Sequence, residues 1–244
     1  MPVLNGKVAI VTGAGRGIGQ AIAEAYARAG AAVCCAARTF EQISATASSI
    51  VQAGGQAFAC AADVTSEEAV RRMIERTVEQ YGGLDILVVN AGVNLQSQLV
   101  EVSQTELWRV TLDTNLTGAY LCAKAAIPHL RQRGAGKIIL VGSGLGHRGM
   151  PGTAAYACSK AGLWMLTRVL AQELAGDHIS VNELIPGPVQ TSASSTDPRV
   201  SVAAQNSSEW RKQPEDVVPL ALFLANQPEV GPTAQSFSLM RRDG

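Results

Sequence analysis

The sequence predicts an α/β domain in which a parallel sheet is covered by helices on both faces. Three features of the 244 residues predict it. Short apolar runs alternate with helical stretches along the chain, as in repeated strand–helix–strand units. The runs lack the alternation of apolar and polar residues that marks a strand with one solvent-facing side. A glycine-rich turn also joins the first run to the first helical stretch, which completes a strand–turn–helix unit.

Each apolar run predicts one strand, and helical periodicity predicts the segments between them. The strands are Val8–Val11, Ala32–Ala37, Ala57–Ala61, Leu84–Val89, Ile138–Val141, Ile179–Ile185 and Gln235–Leu239. The helices are one carrying Ile18, Ile22, Tyr26 and Ala29, one ending near Gly54, one from a cap at Thr65 or Ser66 to Tyr81, and segments 103–132, 153–176 and 214–225. No composition break or repeat divides the chain, so we expect a single domain over 1–244. The Ser-rich segment 191–212 lacks periodicity and predicts a lid over a site.

The balance of charged residues argues against nucleic acid and membranes as binding partners. The chain has 20 Lys and Arg against 20 Asp and Glu, and 16% of its residues are charged while 47% are hydrophobic. This composition favours a folded, soluble protein with a buried core. Because zero net charge offers no general basic field, we expect neither nucleic acid nor a membrane as a partner.

The cysteines and the amino-terminal residues indicate in which cellular compartment the protein lies. The five cysteines form no pair or Cys/His cluster with zinc-ligand spacing, so we expect small buried side chains in a reducing compartment and no metal. They are Cys34, Cys35, Cys60, Cys122 and Cys158. The chain enters its first strand without a signal-peptide pattern, and no apolar run approaches the roughly 20 residues of a membrane span. These observations predict a cytoplasmic protein.

The turn after the first strand predicts a dinucleotide cofactor. It reads Thr12-Gly13-Ala14-Gly15-Arg16-Gly17-Ile18-Gly19 and opens the first helix. Glycines let the backbone turn tightly and let a pyrophosphate approach the N–H groups at the start of a helix. An ordinary strand-to-helix turn is the alternative.

The end of the second strand indicates which dinucleotide binds. An NAD-type site has an acid there that hydrogen-bonds the adenosine ribose, whereas this chain reads Ala36-Ala37-Arg38-Thr39. Arg38, together with Arg16 of the glycine turn, would neutralise a 2′-phosphate. We therefore predict NADP(H) in preference to NAD(H). The alternative is that Arg38 is a solvated residue at the start of a helix.

Tyr156 and Lys160 lie four residues apart in a strongly helical stretch, so they project from one face. A phenol has a pKa near 10, and a nearby ammonium lowers it by favouring the phenolate. Tyr156 is therefore a candidate general acid or base, and Lys160 is the group that tunes it. A surface pair is the ordinary alternative.

Together these motifs resemble those of the short-chain dehydrogenase/reductase family. They appear in the family's order and approximate spacing as TGAGRGIG from Thr12, Asp63-Val64, Asn90-Ala91-Gly92, Asn115, Ser143, YACSK from Tyr156, and Pro186-Gly187 through Thr191. The likeness spans about residues 5 to 240 and is greatest to the single-domain subgroup of 3-oxoacyl-[acyl-carrier-protein] reductases. It implies a Rossmann-like, doubly wound parallel sheet of about seven strands.

The resemblance implies a catalytic set. Tyr156 would exchange a proton with the substrate oxygen while hydride passes between the nicotinamide and the carbonyl carbon. Ser143 would hold and polarise that oxygen, and Ser159 is its rival in the sequence. Lys160 would also bind the nicotinamide ribose, and Asn115 would support a water that leads protons to it. Such a set fixes donors in advance around an oxygen that gains charge.

The resemblance also implies the cofactor contacts. They are Gly13, Gly15, Arg16, Gly17, Ile18 and Gly19 at the phosphates, Arg38 at the 2′-phosphate, Asp63 and Val64 at adenine, Asn90, Ala91 and Gly92 at the adenosine ribose, Tyr156 and Lys160 at the nicotinamide ribose, and Pro186, Gly187, Val189 and Thr191 at the nicotinamide. Turn-forming hydrogen bonds are the alternative for Asp63 and Asn90.

We expect an NADP(H)-dependent oxidoreductase that interconverts a small-molecule carbonyl and a secondary alcohol. The resemblance implies a homotetramer through the helices of Asn115 and Tyr156. The alternatives are an NAD-dependent alcohol or sugar dehydrogenase and a nucleotide-binding regulatory protein without turnover. The last strand continues as FSLMRRDG from Phe237 instead of the family's Val-Asp-Gly-Gly-like segment. This departure leaves open how that segment packs, and whether an acyl-carrier thioester or a smaller ketone is the substrate.

Overall fold

A computed structural model of the chain describes residues 2–190 and 211–240. These residues contain a seven-stranded sheet in the order β3-β2-β1-β4-β5-β6-β7, with every neighbouring pair parallel. The strands are β1 (Val8–Thr12), β2 (Ala32–Ala37), β3 (Gln56–Ala61), β4 (Ile86–Val89), β5 (Gly136–Val141), β6 (Ile179–Ile185) and β7 (Ser236–Ser238). The predicted fold class is confirmed, and each strand end lies within two residues of its expected position.

Helices cover both faces of the sheet. They are α1 (Gly17–Arg28), α2 (Phe40–Gln52), α3 (Glu67–Tyr81), α4 (Thr105–Leu112), α5 (Gly118–Gln132), α6 (Leu145–Arg148), α7 (Ala154–Leu174) and α8 (Val218–Ala225). Side chains of α1, α2 and α8 share one core with the sheet, while those of α3, α5 and α7 share the other. Strands β1 to β6 supply both cores: Ile10 of β1 faces one, and Ala9 and Val11 face the other. This two-sided burial explains why apolar residues predominate on both faces of the central strands.

The segment predicted as one helix over 103–132 is divided into three parts. Helix α4 ends at Leu112, a π-helical turn covers Asp113–Thr117, and α5 begins at Gly118. A π-helical turn adds a residue to the helical repeat and changes which side chains face inward. Here it buries Asn115, which is 1% exposed. The apolar periodicity of the segment does not reveal this turn, so the single-helix prediction is wrong.

The order of the strands places the functional motifs at one edge of the sheet. The chain builds outward from β1 in one direction through β2 and β3, and in the other through β4 to β7. A crevice forms at the carboxyl ends of strands where such a reversal occurs. The glycine turn after β1, Asn90 after β4 and Ser143 after β5 all lie at this edge.

The structure also bears on the cysteines, on metal ligands, on membrane spans and on the expected lid. Four of the cysteines are buried, but Cys158 is exposed on α7, so the expectation of burial is wrong for it. Within residues 2–190 and 211–240, no three His, Cys, Asp or Glu side chains converge as metal ligands would. No helix in that part of the chain has the length and apolar character needed to cross a membrane. Of the expected lid at 191–212, residues 191–210 lie outside the described ranges.

Candidate active site

The glycine turn leaves the amino end of α1 clear of side chains. Gly13 and Gly17 have φ values of +66° and +57°, in the left-handed region that favours glycine. A Cβ atom on Gly19 would collide with the Gly13 carbonyl oxygen and with Nδ2 of Asn90. No side chain in the described chain caps α1 at Arg16, the residue before its first turn. The N–H groups of that first turn are therefore available to an anion.

Gly15 and Ile18 of the turn contact the neighbouring helix α2 and the core. A Cβ on Gly15 would lie 2.8 Å from Cβ of Gln42 on α2, so this glycine allows α2 to approach. Ile18 packs, partly buried, against the core beneath α1. The turn is thus fitted closely between its own helix and the next.

One hydroxyl group ties the turn to the end of β4. Thr12 Oγ1 donates to the carbonyl of Val88 (3.3 Å) and accepts from the N–H groups of Asn90 (3.0 Å) and Ala91 (3.1 Å). In return, Asn90 Nδ2 donates to the carbonyls of Thr12 (2.9 Å) and Gly13 (3.3 Å). Asn90 therefore forms turn hydrogen bonds and holds the segment that follows it against the glycine turn.

The residues expected at the adenosine lie just past β2 and β3. Arg38 follows β2, and both Arg38 and Arg16 are exposed; neither forms an ion pair with any residue the structure describes. Asp63 Oδ1 accepts from the N–H (2.9 Å) and the hydroxyl (2.8 Å) of Thr65, so its side chain forms the turn that precedes α3. Val64, beside it, is buried.

Tyr156 and Lys160 share one face of α7. Lys160 Nζ lies 5.8 Å from the centroid of the Tyr156 ring and donates to the carbonyl of Val141 (2.7 Å) at the end of β5. Lys160 is only 5% exposed, so the surface-pair alternative is wrong. Burial lowers the pKa of Lys160 to about 8, because the ammonium loses hydration. Burial raises the pKa of Tyr156 and Ser143 opposes that rise, so the expectation that Lys160 lowers this pKa is wrong for the cofactor-free protein, in which desolvation dominates.

Ser143, rather than Ser159, adjoins the Tyr156 hydroxyl. Ser143 lies two residues past β5, its Oγ accepts from the N–H of Leu145 (3.3 Å), and its hydroxyl is near enough to Tyr156 to lower the pKa of that phenol. Ser159 is fully buried; it donates to the carbonyl of Tyr156 (2.7 Å) and accepts from Nδ2 of Asn115 (3.0 Å). Because both functions of its hydroxyl are in use, Ser159 has no free donor for a substrate.

The π-helical turn brings Asn115 to the loop that follows β4. Its Oδ1 accepts from the N–H of Val93 (2.7 Å), and its Nδ2 donates to the carbonyl of Val93 (2.9 Å) and to Ser159. A Cβ on Gly92 would lie 3.2 Å from Asn115 Oδ1 and 3.7 Å from Lys160 Nζ. Asn115, Lys160 and the turn at Gly92 are therefore neighbours. Protein atoms use both N–H groups of the Asn115 amide, and its contact with a water stays a prediction.

The segment 186–190, directly after β6, lies at the same carboxyl edge of the sheet as Ser143. Pro186 is buried, and Gly187 has a φ value of +69°. Val189 forms an isolated parallel bridge with Lys212, which connects the segment to the second described range. Thr191 lies outside the described residues.

The carboxyl-terminal strand packs directly against this region. Strand β7 pairs with β6, and the N–H of Leu239 continues the ladder by donating to the carbonyl of Ile185 (2.9 Å). A Cβ on Gly144, the residue after Ser143, would collide with Sδ of Met240. The departure from the family's usual ending is therefore accommodated by a glycine beside the site.

Comparison with known proteins decides the family. Residues 7–199 match the family model described as short chain dehydrogenase. The chain belongs to the short-chain dehydrogenase/reductase family. It is therefore an oxidoreductase of a family that binds NAD(P).

Relatives of this short-chain dehydrogenase/reductase match it along nearly its whole length. The 3-oxoacyl-[acyl-carrier-protein] reductase of Synechocystis sp. is 34% identical over 98% of this chain and 97% of its own. The structure of a dehydrogenase/reductase from Sinorhizobium meliloti 1021 is 35% identical, with a TM-score of 0.88 over 97% of this chain and 95% of that one. A structure from Beutenbergia cavernae that has NADP bound at low occupancy is 34% identical, with a TM-score of 0.87 over 98% and 97% of the two chains. The Rossmann-like fold is confirmed.

Sequence reasoning did not predict the partners of three side chains in this short-chain dehydrogenase/reductase. Thr12 was noted only as the first letter of the glycine motif, although a hydroxyl at the end of a buried strand needs a partner. Glu183, with 0% exposure, lies inside the apolar run of β6, where an acid is itself a signal. His147 contacts Glu183, whereas a histidine in a loop is ordinarily a surface or turn residue.

Proposed function

We propose that the protein interconverts a carbonyl and a secondary alcohol with NADP(H), using Tyr156 as general acid and base. The observation that carries this proposal is the buried Lys160 ammonium, 5.8 Å from the Tyr156 ring, beside Ser143 at the carboxyl edge of the sheet. A protein that only binds a nucleotide needs no proton-transfer group. The pair therefore favours an enzyme over a regulatory binding protein.

The glycine turn fits a dinucleotide. Side chains at Gly13, Gly15 and Gly19 would fill the space around the turn, and their absence leaves the N–H groups at the start of α1 open to a pyrophosphate. When bound, the nicotinamide supplies the hydride for reduction and accepts it in oxidation. We assign its contacts to Gly13, Gly15, Arg16, Gly17, Ile18, Gly19, Arg38, Asp63, Val64, Asn90, Ala91, Gly92, Tyr156, Lys160, Pro186, Gly187, Val189 and Thr191.

Arg16 and Arg38 support NADP(H) over NAD(H). Both are exposed, and neither guanidinium is engaged in an ion pair with another described side chain. An arginine at the end of the second strand is suited to a 2′-phosphate, whereas NAD binding uses an acid there. The NADP in the related Beutenbergia cavernae structure is consistent with this preference.

Three side chains, those of Tyr156, Lys160 and Ser143, carry out and assist the proton transfer to the substrate oxygen. In reduction, Tyr156 donates its hydroxyl proton to the substrate oxygen as negative charge develops there. The raised pKa of Tyr156 keeps the phenol protonated beforehand. The Lys160 ammonium stabilises the resulting phenolate, and Ser143 donates a hydrogen bond to the substrate oxygen. In oxidation, the phenolate that Lys160 stabilises accepts the alcohol proton.

Asn115 connects this machinery to the neighbouring backbone. We propose that it supports the water that returns a proton toward Lys160. Its three side-chain hydrogen bonds also hold the loop at Val93 and the helix at Ser159. Displacing this amide would therefore disturb the ends of both elements.

The first substrate class to test is a 3-oxoacyl thioester. The Synechocystis sp. relative is named for that activity, and this chain matches 97% of its length. A smaller ketone is the alternative, because Met240 beside Ser143 changes the packing next to the site.

We further propose a single cytoplasmic domain over 1–244, with a lid at 191–212, that assembles as a homotetramer. Helices α4, α5 and α7 expose large apolar side chains, which is typical of an interaction face. The exposed residues are Val110, Tyr120, Met165 and Val169.

The decisive experiment compares Tyr156→Phe with Tyr81→Phe, a control at the end of α3. Turnover of acetoacetyl-CoA, cyclohexanone and cyclohexanol is followed by nicotinamide absorbance with each cofactor. We expect Tyr156→Phe to lose about 10²–10⁴-fold in kcat, because the proton donor is gone, while NADPH binding stays within about threefold. The control should match the unaltered protein.

Each other outcome excludes part of the proposal. Near-normal turnover by Tyr156→Phe contradicts the mechanism. Preferential oxidation of the alcohol with NAD identifies an NAD-dependent alcohol or sugar dehydrogenase. NADPH binding without turnover of any of the three compounds favours a regulatory nucleotide-binding protein.

A further inference from the structure

Glu183 is a fully buried carboxylic acid in the central part of β6. It is 0% exposed and lies opposite Leu140 of β5. Ile179 and Val181, on the same face of the strand, belong to the core beneath α7. The carboxylate therefore projects toward the helix that carries Tyr156 and Lys160. A buried carboxylate is costly unless it is paired and hydrogen-bonded.

The chain provides this acid with partners from three elements. His147 Nε2 lies 2.9 Å from Oε2 and 3.2 Å from Oε1 of Glu183, and the Ser236 hydroxyl of β7 donates to Oε2 (2.6 Å). A Cβ on Gly142 would collide with Oε1, so the glycine that precedes Ser143 leaves space for the carboxylate. The His147 side chain is 27% exposed. The acid is thus held in one orientation, and its imidazole partner reaches solvent.

Packing alone does not explain this arrangement. Replacing a buried ion pair by apolar residues of similar volume is often neutral or stabilising, and the neighbouring residues of β6 on that face are apolar. A nearby group that must remain charged would explain why the acid is present. Lys160 is such a group.

Lys160 and Glu183 contact consecutive residues at the end of β5. The Nζ of Lys160 donates to the carbonyl of Val141 (2.7 Å), and Oε1 of Glu183 occupies the space that a Cβ on the next residue, Gly142, would fill. No ion pair joins Lys160 to Glu183 in the described chain. Burial lowers the pKa of Lys160 to about 8, and the charge of Glu183 opposes that lowering. The other titratable groups facing this region are Tyr156, from the same helix, and His147, from α6, behind the carboxylate. The π-helical turn contributes Asn115, which does not titrate.

We infer that Glu183 is a positioning residue that holds Lys160 in its ammonium form beside Tyr156, with His147 and Ser236 fixing the carboxylate. This inference rests on the proposed function, because it concerns the same proton-transfer pair. Its sign follows from electrostatics: without the negative charge, Lys160 releases its proton at a lower pH. The phenolate then loses its partner at a lower pH as well.

The test is Glu183→Gln, which removes the charge and keeps the shape. We expect the alkaline limb of kcat/KM for acetoacetyl-CoA reduction with NADPH to move down by about 0.5–1 pH unit. Activity at pH 6 should remain within about twofold, and KM for NADPH within about threefold. Glu183→Asp, which keeps the charge, should return the limb toward its original position. Glu24→Gln on α1 is the matched control, because that carboxylate is partly buried and remote from Lys160.

A second measurement does not depend on turnover. In the protein without cofactor, ¹⁵N-lysine NMR follows the Lys160 ammonium, with its signal assigned by Lys160→Met. We expect its titration midpoint to fall in Glu183→Gln and in Glu183→Met. An unchanged midpoint overturns the inference, even where Tyr156→Phe has lost turnover and the proposed function stands. Failure of both Glu183 variants to fold also overturns it, because the acid would then be needed by the fold and not by Lys160.

Discussion

The side-chain amide of Asn115 donates a 3.0 Å hydrogen bond to the hydroxyl of Ser159, which joins the π-helical turn to α7 within one turn of Tyr156. The same amide holds the backbone of Val93 through two further hydrogen bonds. The loop after β4 and the helix that carries the tyrosine are thus fixed relative to each other by one side chain.

Asn115→Ala should therefore weaken both the fold and the proposed activity. The change removes the partners of the half-buried N–H and carbonyl of Val93 and one of the two partners of the buried Ser159 hydroxyl, so we expect the free energy of unfolding in urea to fall by about 1–3 kcal/mol. Turnover should fall with it. Ser159→Ala removes the bond from Asn115 and the bond to the Tyr156 carbonyl but leaves both bonds to Val93, and it should cost about 1 kcal/mol. Equal stability of Asn115→Ala and the original protein would contradict this account.

Gly19→Ala should impair cofactor binding. The added methyl group collides with the Gly13 carbonyl and with Asn90, so the turn must open. We expect the NADPH dissociation constant, measured by fluorescence titration, to rise at least about tenfold. Gly176→Ala is the control, because a Cβ there meets no atom within 4 Å. If both variants bind NADPH equally, the close approach at Gly19 does not matter for binding.

Arg38→Ala should change the choice between the two cofactors. Removing this guanidinium deletes a charge-assisted hydrogen bond to a 2′-phosphate that NADH does not have. We expect KM for NADPH to rise about tenfold or more and KM for NADH to stay within about threefold. Arg109→Ala, an exposed arginine on α4, is the control. A parallel change in both KM values would argue against a 2′-phosphate contact.

Lys160 should make the stability of the cofactor-free protein depend on pH. Its pKa in the folded protein, about 8, lies below its ordinary value, so between about pH 8 and pH 10 the unfolded chain binds more protons. Stability must then rise with pH across that window. Relative to Lys160→Met, the protein should gain about 2–3 kcal/mol in unfolding free energy between pH 7 and pH 10. Parallel pH curves for the two proteins would show that Lys160 is not desolvated.

The exposed apolar side chains of α7 should form the subunit contact. Met165→Glu combined with Val169→Glu places two charges on that face, and desolvating them at an interface is costly. Light scattering should detect a tetramer for the original protein and a smaller species for the double variant. Val51→Glu, on an equally exposed position of α2, should leave the mass unchanged.

The predictable parts of this fold are those governed by local pattern. Strands buried on both faces are rich in apolar residues, so a run such as Val8–Val11 predicted its strand closely. The spacing of Tyr156 and Lys160 predicted a shared face, because a helix repeats every 3.6 residues. Their catalytic roles, and the cofactor contacts, remain predictions.

The parts that escaped prediction depend on contacts between distant residues. The π-helical turn that buries Asn115 leaves the apolar periodicity of its segment unbroken. The hydrogen-bond partners of Glu183 are His147, 36 residues earlier, and Ser236, 53 residues later, and no local pattern connects them. Cys158 shares a helix with buried residues, and only the packing of α7 leaves it exposed.

The pairing of Ser236 with Glu183 has a consequence for synthesis on the ribosome. Chains emerge from the amino terminus, so the first six strands are available before β7 has been made. Until that last strand docks, Glu183 has His147 but lacks the Ser236 hydroxyl. The glycine turn and His147 are therefore made before the strand that completes the hydrogen bonds of Glu183.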